Sequence, residues 1–281
     1  MASEPLPRDG ITLGFSPCPN DTFIFHALVT RMVPSPCPVR ERLEDVETLN
    51  RLVLAGSLDV SKISYHLLGH VRDRYALLRA GGALGRGCGP LVVAREPLDP
   101  ARLHTLSIAL PGEYTTASLL LRLFEPRCTR TACMPFHEIM KRVAAGDVDA
   151  GVVIHESRFT LHEHSLVKVL DLGQWWEETT GHPIPLGGIV ARRELGDLIP
   201  KIDRAITASV DAARANPGAS TAYVRSHSQE MSGDVCAAHI ALYVNEFSRD
   251  LGKSGARAVE CLMKRAEKAG IIPRSAAGLF Y

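Results

Sequence analysis

A histidine that directly follows an apolar segment is the first feature of this sequence that could do chemistry. The segment from Ala150 to Ile154 is short, ends in three β-branched residues and comes after the turn at Gly146-Asp147, so we predict a buried parallel strand. His155 comes next, and ligands of open α/β sheets bind beyond the carboxyl ends of strands. An imidazole there suits proton transfer near neutral pH, although the pattern also fits a histidine that only caps a loop by hydrogen bonding.

Two further groups of polar residues follow predicted strands. Lys62, Ile63 and Ser64 lie at the junction where the short strand DVSKI enters a helix near Ser64 or Tyr65. Free backbone N–H groups and a hydroxyl at such a junction suit an anionic ligand, but a plain N-cap serine explains Ser64 equally well. Ser16 and Asn20 lie in the loop SPCPND after the first strand. They face a cleft if the loop is functional, and otherwise serve as a turn and as a cap at Asn20 or Asp21.

A pair of threonines follows the strand SIAL and the turn at Pro111-Gly112. Thr115 and Thr116 occupy the first turn of the predicted helix EYTTASLLLRLF, with Ala117 behind them. A helix N-terminus that carries two hydroxyls is a favourable carboxylate site. Helix capping accounts for one threonine more easily than for two, so we expect contact with a ligand.

The elements that position these residues divide into two α/β lobes. We predict a first lobe of residues 1–95 plus 188–281 and a second lobe of residues 96–187, with the strand PLVVAR leaving the first lobe. Five glycines at positions 81–89 match no phosphate-binding motif and predict a loop with positive φ. The helical segment after Gly188 is expected to supply little polar chemistry, with His227 and His239 as ordinary surface or core residues. Trp175 and Trp176 fit core packing better than stacking on an aromatic ligand.

The composition excludes several classes of protein. The 281 residues are 46% hydrophobic and 22% charged, with a formal net charge of +1, which favours neither nucleic-acid nor membrane binding. The polar start, residues 1–10, has no apolar segment typical of a signal peptide, and the seven scattered cysteines form no CxxC pair. We therefore expect a cytoplasmic protein without a structural zinc site or a disulfide framework.

Six segments of the sequence together resemble one enzyme family, and the resemblance extends from Ile11 to the C-terminus. They are SPCPNDTFIFHAL (16–28), LEDVETLN (43–50), SYHLLGHVRDRY (64–75), GGALGRGCGPLVV (81–93), TTA (115–117) and GVVIHESRF (151–159). The sequence resembles the 1,4-dihydroxy-6-naphthoate synthases of the futalosine route to menaquinone. That family implies a two-lobed periplasmic-binding-protein-like (type II) α/β fold with a ligand cleft between the lobes.

The resemblance also implies an activity and a set of site residues. The expected reaction is a carbon–carbon lyase step from cyclic dehypoxanthine futalosine, a carboxylate, to 1,4-dihydroxy-6-naphthoate, with no metal, nucleotide or redox cofactor. His155 is implied as the general base, and Lys62-Ile63-Ser64 and Thr116-Ala117 as substrate contacts. Two other classes share the fold. A solute-binding protein would need export, and a transcription-factor effector domain would need a DNA-binding helix pair, which the sequence does not contain.

Overall fold

Apolar segments of the chain pair into two separate sheets in a computed structural model. The structure describes residues 10–154, 161–228 and 232–281, and at position 162 it describes the backbone alone. The described strands are β1 (Ile11–Phe15), β2 (Val39–Leu43), β3 (Val60–Ser64), β4 (Tyr75–Leu77), β5 (Ala83–Gly85), β6 (Leu91–Ala94), β7 (Ile108–Leu110), β8 (Thr131–Cys133), β9 (Ala150–Val153), β10 (Val167–Asp171) and β11 (Ile184–Arg192). The described α-helices are α1 (Pro19–Val29), α2 (Val46–Leu54), α3 (Tyr65–Val71), α4 (Thr116–Phe124), α5 (Phe136–Ala145), α6 (Leu172–Thr180), α7 (Ile199–Ala215), α8 (Thr221–His227), α9 (Gly233–Tyr243), α10 (Glu246–Arg249) and α11 (Gly252–Lys268).

The first sheet has the strand order β2-β1-β3-β11-β4, with β5 paired to β11, and the second has the order β10-β6-β9-β7-β8. In the first sheet β1 runs parallel to β2 and β3, while β11 runs antiparallel to β3, β4 and β5. In the second sheet β9 runs parallel to β7 and antiparallel to β6. The expected parallel strand before His155 is therefore parallel on one side only.

The expected lobe boundaries and the sheets differ at two strands, β6 and the start of β11. Leu91–Ala94 was expected in the first lobe but pairs with β9 and β10 in the second sheet, while Ile184–Arg192 pairs in the first. Four apolar residues after a Gly-Pro turn carry no signal of which sheet they join, so the sequence could not assign them. We propose that the chain crosses between lobes near residues 90 and 184; the extents of the lobes stay a prediction.

Local sequence explains several of the helix ends. Asp45 caps α2 by accepting the N–H groups of Glu47 and Thr48, and Gly146 ends α5 with a left-handed φ of 83°. The inward side of α5 consists of Ile139, Met140 and Val143, as its apolar spacing predicts.

One local prediction was wrong and another was right only in part. Helix α1 begins at Pro19, so Asn20 and Asp21 lie in its first turn and not at its cap, because proline is favoured at the first helical position. In the glycine-rich segment only Gly81 and Gly87 have positive φ, and β5 forms between them.

The hydrophobic core lies on both faces of the sheets. One cluster extends from α2 and α3 to α4, α11 and the second sheet, and another fills the space between β1, α1 and α7. A smaller cluster covers the second sheet beneath α5. Among the helices that the structure describes, none is long and apolar enough to span a bilayer.

Candidate active site

A cleft lies where the two sheets meet, and residues from both sheets and from α9 line it. It brings together residues that are far apart in sequence. Every binding residue predicted from the sequence lines it: Ser16, Asn20, Lys62, Ile63, Ser64, Thr115, Thr116 and Ala117.

The predicted base is at the edge of what the structure describes. His155, with Glu156 and Arg158, lies outside the described residues. Ile154, the last residue described before it, lines the cleft directly after β9. The chain therefore enters the 155–160 segment from the wall of the cleft.

A buried ion pair lies in the wall of the cleft. Lys62 Nζ donates to Asp21 Oδ1 at 2.9 Å and to the carbonyl oxygen of Gly81 at 3.2 Å. The Asp21 carboxylate also accepts the Ser16 hydroxyl at 2.7 Å, the Ser16 N–H at 3.2 Å and the Asn20 amide at 2.9 Å. Such saturation offsets the desolvation of a buried charge. Asp21 therefore holds Lys62 in place, and Lys62 keeps one N–H without an acceptor among the described residues.

A second polar chain reaches the cleft through Ser64. The Ser64 N–H donates to Asn50 Oδ1 at 2.9 Å, and Asn50 Nδ2 donates to Ser64 Oγ at 3.2 Å and to Glu47 Oε2 at 3.3 Å. The Glu47 carboxylate in turn accepts the N–H groups of Glu113 and Tyr114, on the turn after β7, at 3.1 and 3.2 Å. Burial raises the pKa of Glu47, although these hydrogen bonds and the Arg51 charge oppose the shift.

The two threonines of the cleft direct their hydroxyls into the protein. Thr115 is the N-cap of α4, where its Oγ1 donates to the carbonyl of Gly112 at 2.9 Å and accepts the Ser118 N–H. Thr116 Oγ1 accepts the Tyr65 N–H at 3.0 Å and donates to the carbonyl of Leu186 at 2.6 Å. Capping thus accounts for Thr115, and both residues line the cleft without a spare hydroxyl proton.

Two histidines of α3 pack against the same turn. His66 Nδ1 lies 3.3 Å from the carbonyl oxygen of Thr115, and the His66 and His70 rings both contact the Tyr114 ring, at centroid distances of 6.0 and 5.4 Å. Burial lowers the pKa of His66 to about 3, with smaller contributions from the charges of His70 and Arg122. His66 is therefore neutral where α3 meets the second sheet.

The sequence did not single out three polar residues that line the cleft, Asp21, His239 and Tyr243. Asp21 looked like a helix cap, and no local signal marked its pairing with Lys62. His239 and Tyr243 reach the cleft from α9, and His239 is fully buried, as expected of a core histidine. Trp176 is a core residue, as expected, and its indole N–H donates to the carbonyl of Pro183 at 3.1 Å.

Known proteins are similar to this chain along nearly its whole length. The family model described as menaquinone biosynthesis matches residues 11–268. The 1,4-dihydroxy-6-naphthoate synthase of Thermus thermophilus is 52% identical over 273 residues, covering 97% of this chain and 99% of that protein. The chain belongs to this synthase family. A second relative with the same name, from Streptomyces coelicolor, is 47% identical and covers 95% of this chain and 96% of its own.

Solved structures confirm the fold of this family member. A crystal structure of an Archaeoglobus fulgidus protein is 34% identical, with a TM-score of 0.88 over 93% of this chain and 98% of that one. The alkanesulfonate-binding protein of Xanthomonas axonopodis is only 15% identical but has a TM-score of 0.69, covering 97% of this chain and 96% of its own. The synthase-family chain therefore has the expected two-lobed periplasmic-binding-protein-like fold, with its cleft between the lobes.

Proposed function

We propose that this protein converts cyclic dehypoxanthine futalosine to 1,4-dihydroxy-6-naphthoate, as a carbon–carbon lyase in menaquinone biosynthesis. The observation that carries the proposal is the near-complete alignment, at 52% identity, with the Thermus thermophilus protein named 1,4-dihydroxy-6-naphthoate synthase. The cleft supports it, because all of the predicted contact residues line one cavity. An alignment of this length also favours a cytoplasmic enzyme over an exported binding protein, since the relatives are named as synthases.

The substrate of this reaction carries a carboxylate, and the cleft supplies donors for it. Lys62 has one N–H beyond its bonds to Asp21 and Gly81, and Ser64 has a hydroxyl proton with no acceptor among the described residues. Because the Lys62–Asp21 pair is neutral overall, we expect hydrogen-bond donors to orient the carboxylate more than net charge does.

We assign the general base to His155. Removing a proton from the substrate starts the cleavage that releases a sugar-derived fragment, and the product gains an aromatic ring. One base with a pKa near neutrality is sufficient for such a step, and the described cleft wall leads directly to position 155. Asp21 is a poor alternative, because four donors already occupy its carboxylate.

The test is turnover of cyclic dehypoxanthine futalosine by the wild type and by His155→Asn. Loss of a general base should lower turnover by about 10²–10⁴-fold while ligand affinity is largely kept. His137→Asn, which makes the same change at an exposed position on α5, is the matched control and should have wild-type turnover.

Two results would contradict the proposal in different ways. Near-normal turnover by His155→Asn would remove this histidine from the mechanism and make Glu156 the next candidate. Tight binding without turnover by the wild type would instead favour a solute-binding protein.

A further inference from the structure

Asn50 is fully buried, carries no charge and lies behind the cleft wall, yet it makes three hydrogen bonds with two residues that differ in role. One of these residues, Ser64, lines the cleft and is almost fully buried itself. The other, Glu47, binds the backbone of the opposite lobe at Glu113 and Tyr114. The amide therefore connects the ligand cavity with a contact between the lobes.

The orientation of the Asn50 amide is fixed by its neighbours. The Ser64 N–H can only donate, so the Asn50 atom that lies 2.9 Å from it must be the carbonyl oxygen. The amide nitrogen then faces Glu47 Oε2 at 3.3 Å, and an ionised carboxylate can only accept. Both neighbours require the same orientation of the amide.

That orientation determines the direction of the Ser64 hydroxyl. Asn50 Nδ2 donates to Ser64 Oγ at 3.2 Å, so the serine oxygen is an acceptor on its protein side. Its own proton must point elsewhere, and no acceptor for it exists among the described residues. Because Ser64 lines the cavity, the direction left to that proton is toward the ligand.

We propose that Asn50 is a positioning residue that forces the Ser64 hydroxyl to act as a donor to the carboxylate of the ligand. This inference rests on the proposed function, because that function supplies the carboxylate. Replacement by aspartate keeps the oxygen that accepts the Ser64 N–H but turns the donor amide into a second acceptor. The Ser64 hydroxyl would then donate to position 50 and be withdrawn from the ligand.

The test is a double-mutant cycle between Asn50→Asp and Ser64→Ala, with affinity for 2-naphthoate measured by calorimetry. This redox-stable molecule carries the carboxylate of the product at the equivalent ring position. Each single substitution should weaken binding by about ten- to hundredfold, the factor expected from one hydrogen bond to a charged group. In the Ser64→Ala background, Asn50→Asp should weaken binding by less than about twofold, because the hydroxyl through which it acts is gone.

Two further variants separate positioning from structural damage. Glu47→Gln combined with Asn50→Asp removes the facing carboxylates and should regain melting temperature without regaining affinity. Asn216→Asp makes the same chemical change at an exposed position after α7 and should bind as the wild type does.

The proposal fails if Asn50→Asp binds 2-naphthoate normally, if the two substitutions are additive, or if the wild type does not bind 2-naphthoate. These outcomes do not depend on turnover. Coupling in the cycle without conversion of cyclic dehypoxanthine futalosine would overturn the proposed function alone.

Discussion

Removing the hydroxyl of Thr116 should cost stability, because that one group satisfies two buried backbone groups of the first lobe. The Tyr65 N–H is at the first position of α3, where a helix offers no internal acceptor. The Leu186 carbonyl lies where the register of β11 against β5 shifts, so it is outside the regular ladder. Thr116→Val keeps the shape of the side chain and leaves both groups without this partner.

The size of the effect follows from those two orphaned groups. A buried donor or acceptor that loses its partner costs about 1–3 kcal/mol, so the variant should lose roughly 2–6 kcal/mol of unfolding free energy. A loss near 3 kcal/mol corresponds to a decrease in melting temperature of about 6–12 °C for a domain of roughly 150–250 residues. Thr116→Ser retains the hydroxyl and should lose much less.

The assay is thermal and urea unfolding of the wild type, Thr116→Val and Thr116→Ser, together with affinity for 2-naphthoate. We expect the valine variant to unfold earlier and, because its hydroxyl joins α4 to the first lobe, to bind more weakly as well. A valine variant that melts with the wild type would refute the argument that these bonds stabilise the fold. Unchanged stability with strongly reduced affinity would mean that Thr116 contacts the ligand directly.

Two more predictions concern buried ionisable groups. Asp21→Asn leaves the Lys62 ammonium without its carboxylate and should destabilise the fold by about 3–5 kcal/mol in urea unfolding. Adding Lys62→Met should restore much of that stability but not ligand binding. Full binding by the double variant would exclude a role for Lys62. The pKa of His66 is lowered to about 3 in the folded protein, so as the pH falls below about 6.5 this histidine takes up a proton in the unfolded chain first. The free energy of unfolding should therefore decrease by roughly 2 kcal/mol between pH 7.5 and pH 5. His66→Gln should make this dependence shallower, and equal slopes for variant and wild type would show that other groups control it.

Sequence reasoning predicted the features that depend on nearby residues. The apolar spacing of α5 and its end at Gly146 agree with the structure, because helix ends are set within one turn of the chain. Strand ends followed by polar residues also identified eight of the residues that line the cleft. This works because the carboxyl ends of strands lie at one edge of a sheet.

Long-range features escaped prediction for a physical reason. Asp21 and Lys62 are 41 positions apart, and nothing in either local pattern indicates an ion pair. Asn50 occupies a helical position whose inward direction resembles that of a core residue, so its contact with Ser64 appears only once α2 packs on β3. Likewise α9 reaches the cleft through tertiary packing, which left His239 indistinguishable from a core histidine.

The hydrogen bonds that join the lobes next to the cleft share a chemical asymmetry with a consequence for comparative genetics. Glu47, His66 and Thr116 each contribute a side chain, but their partners on the other lobe are backbone N–H and carbonyl groups. Any residue except proline supplies that backbone pattern. Evolutionary drift at the partner positions should therefore leave these bonds intact, and methods that search for correlated substitutions should find no paired signal for them. Constraint should instead be visible on one side alone, at positions 47, 66 and 116.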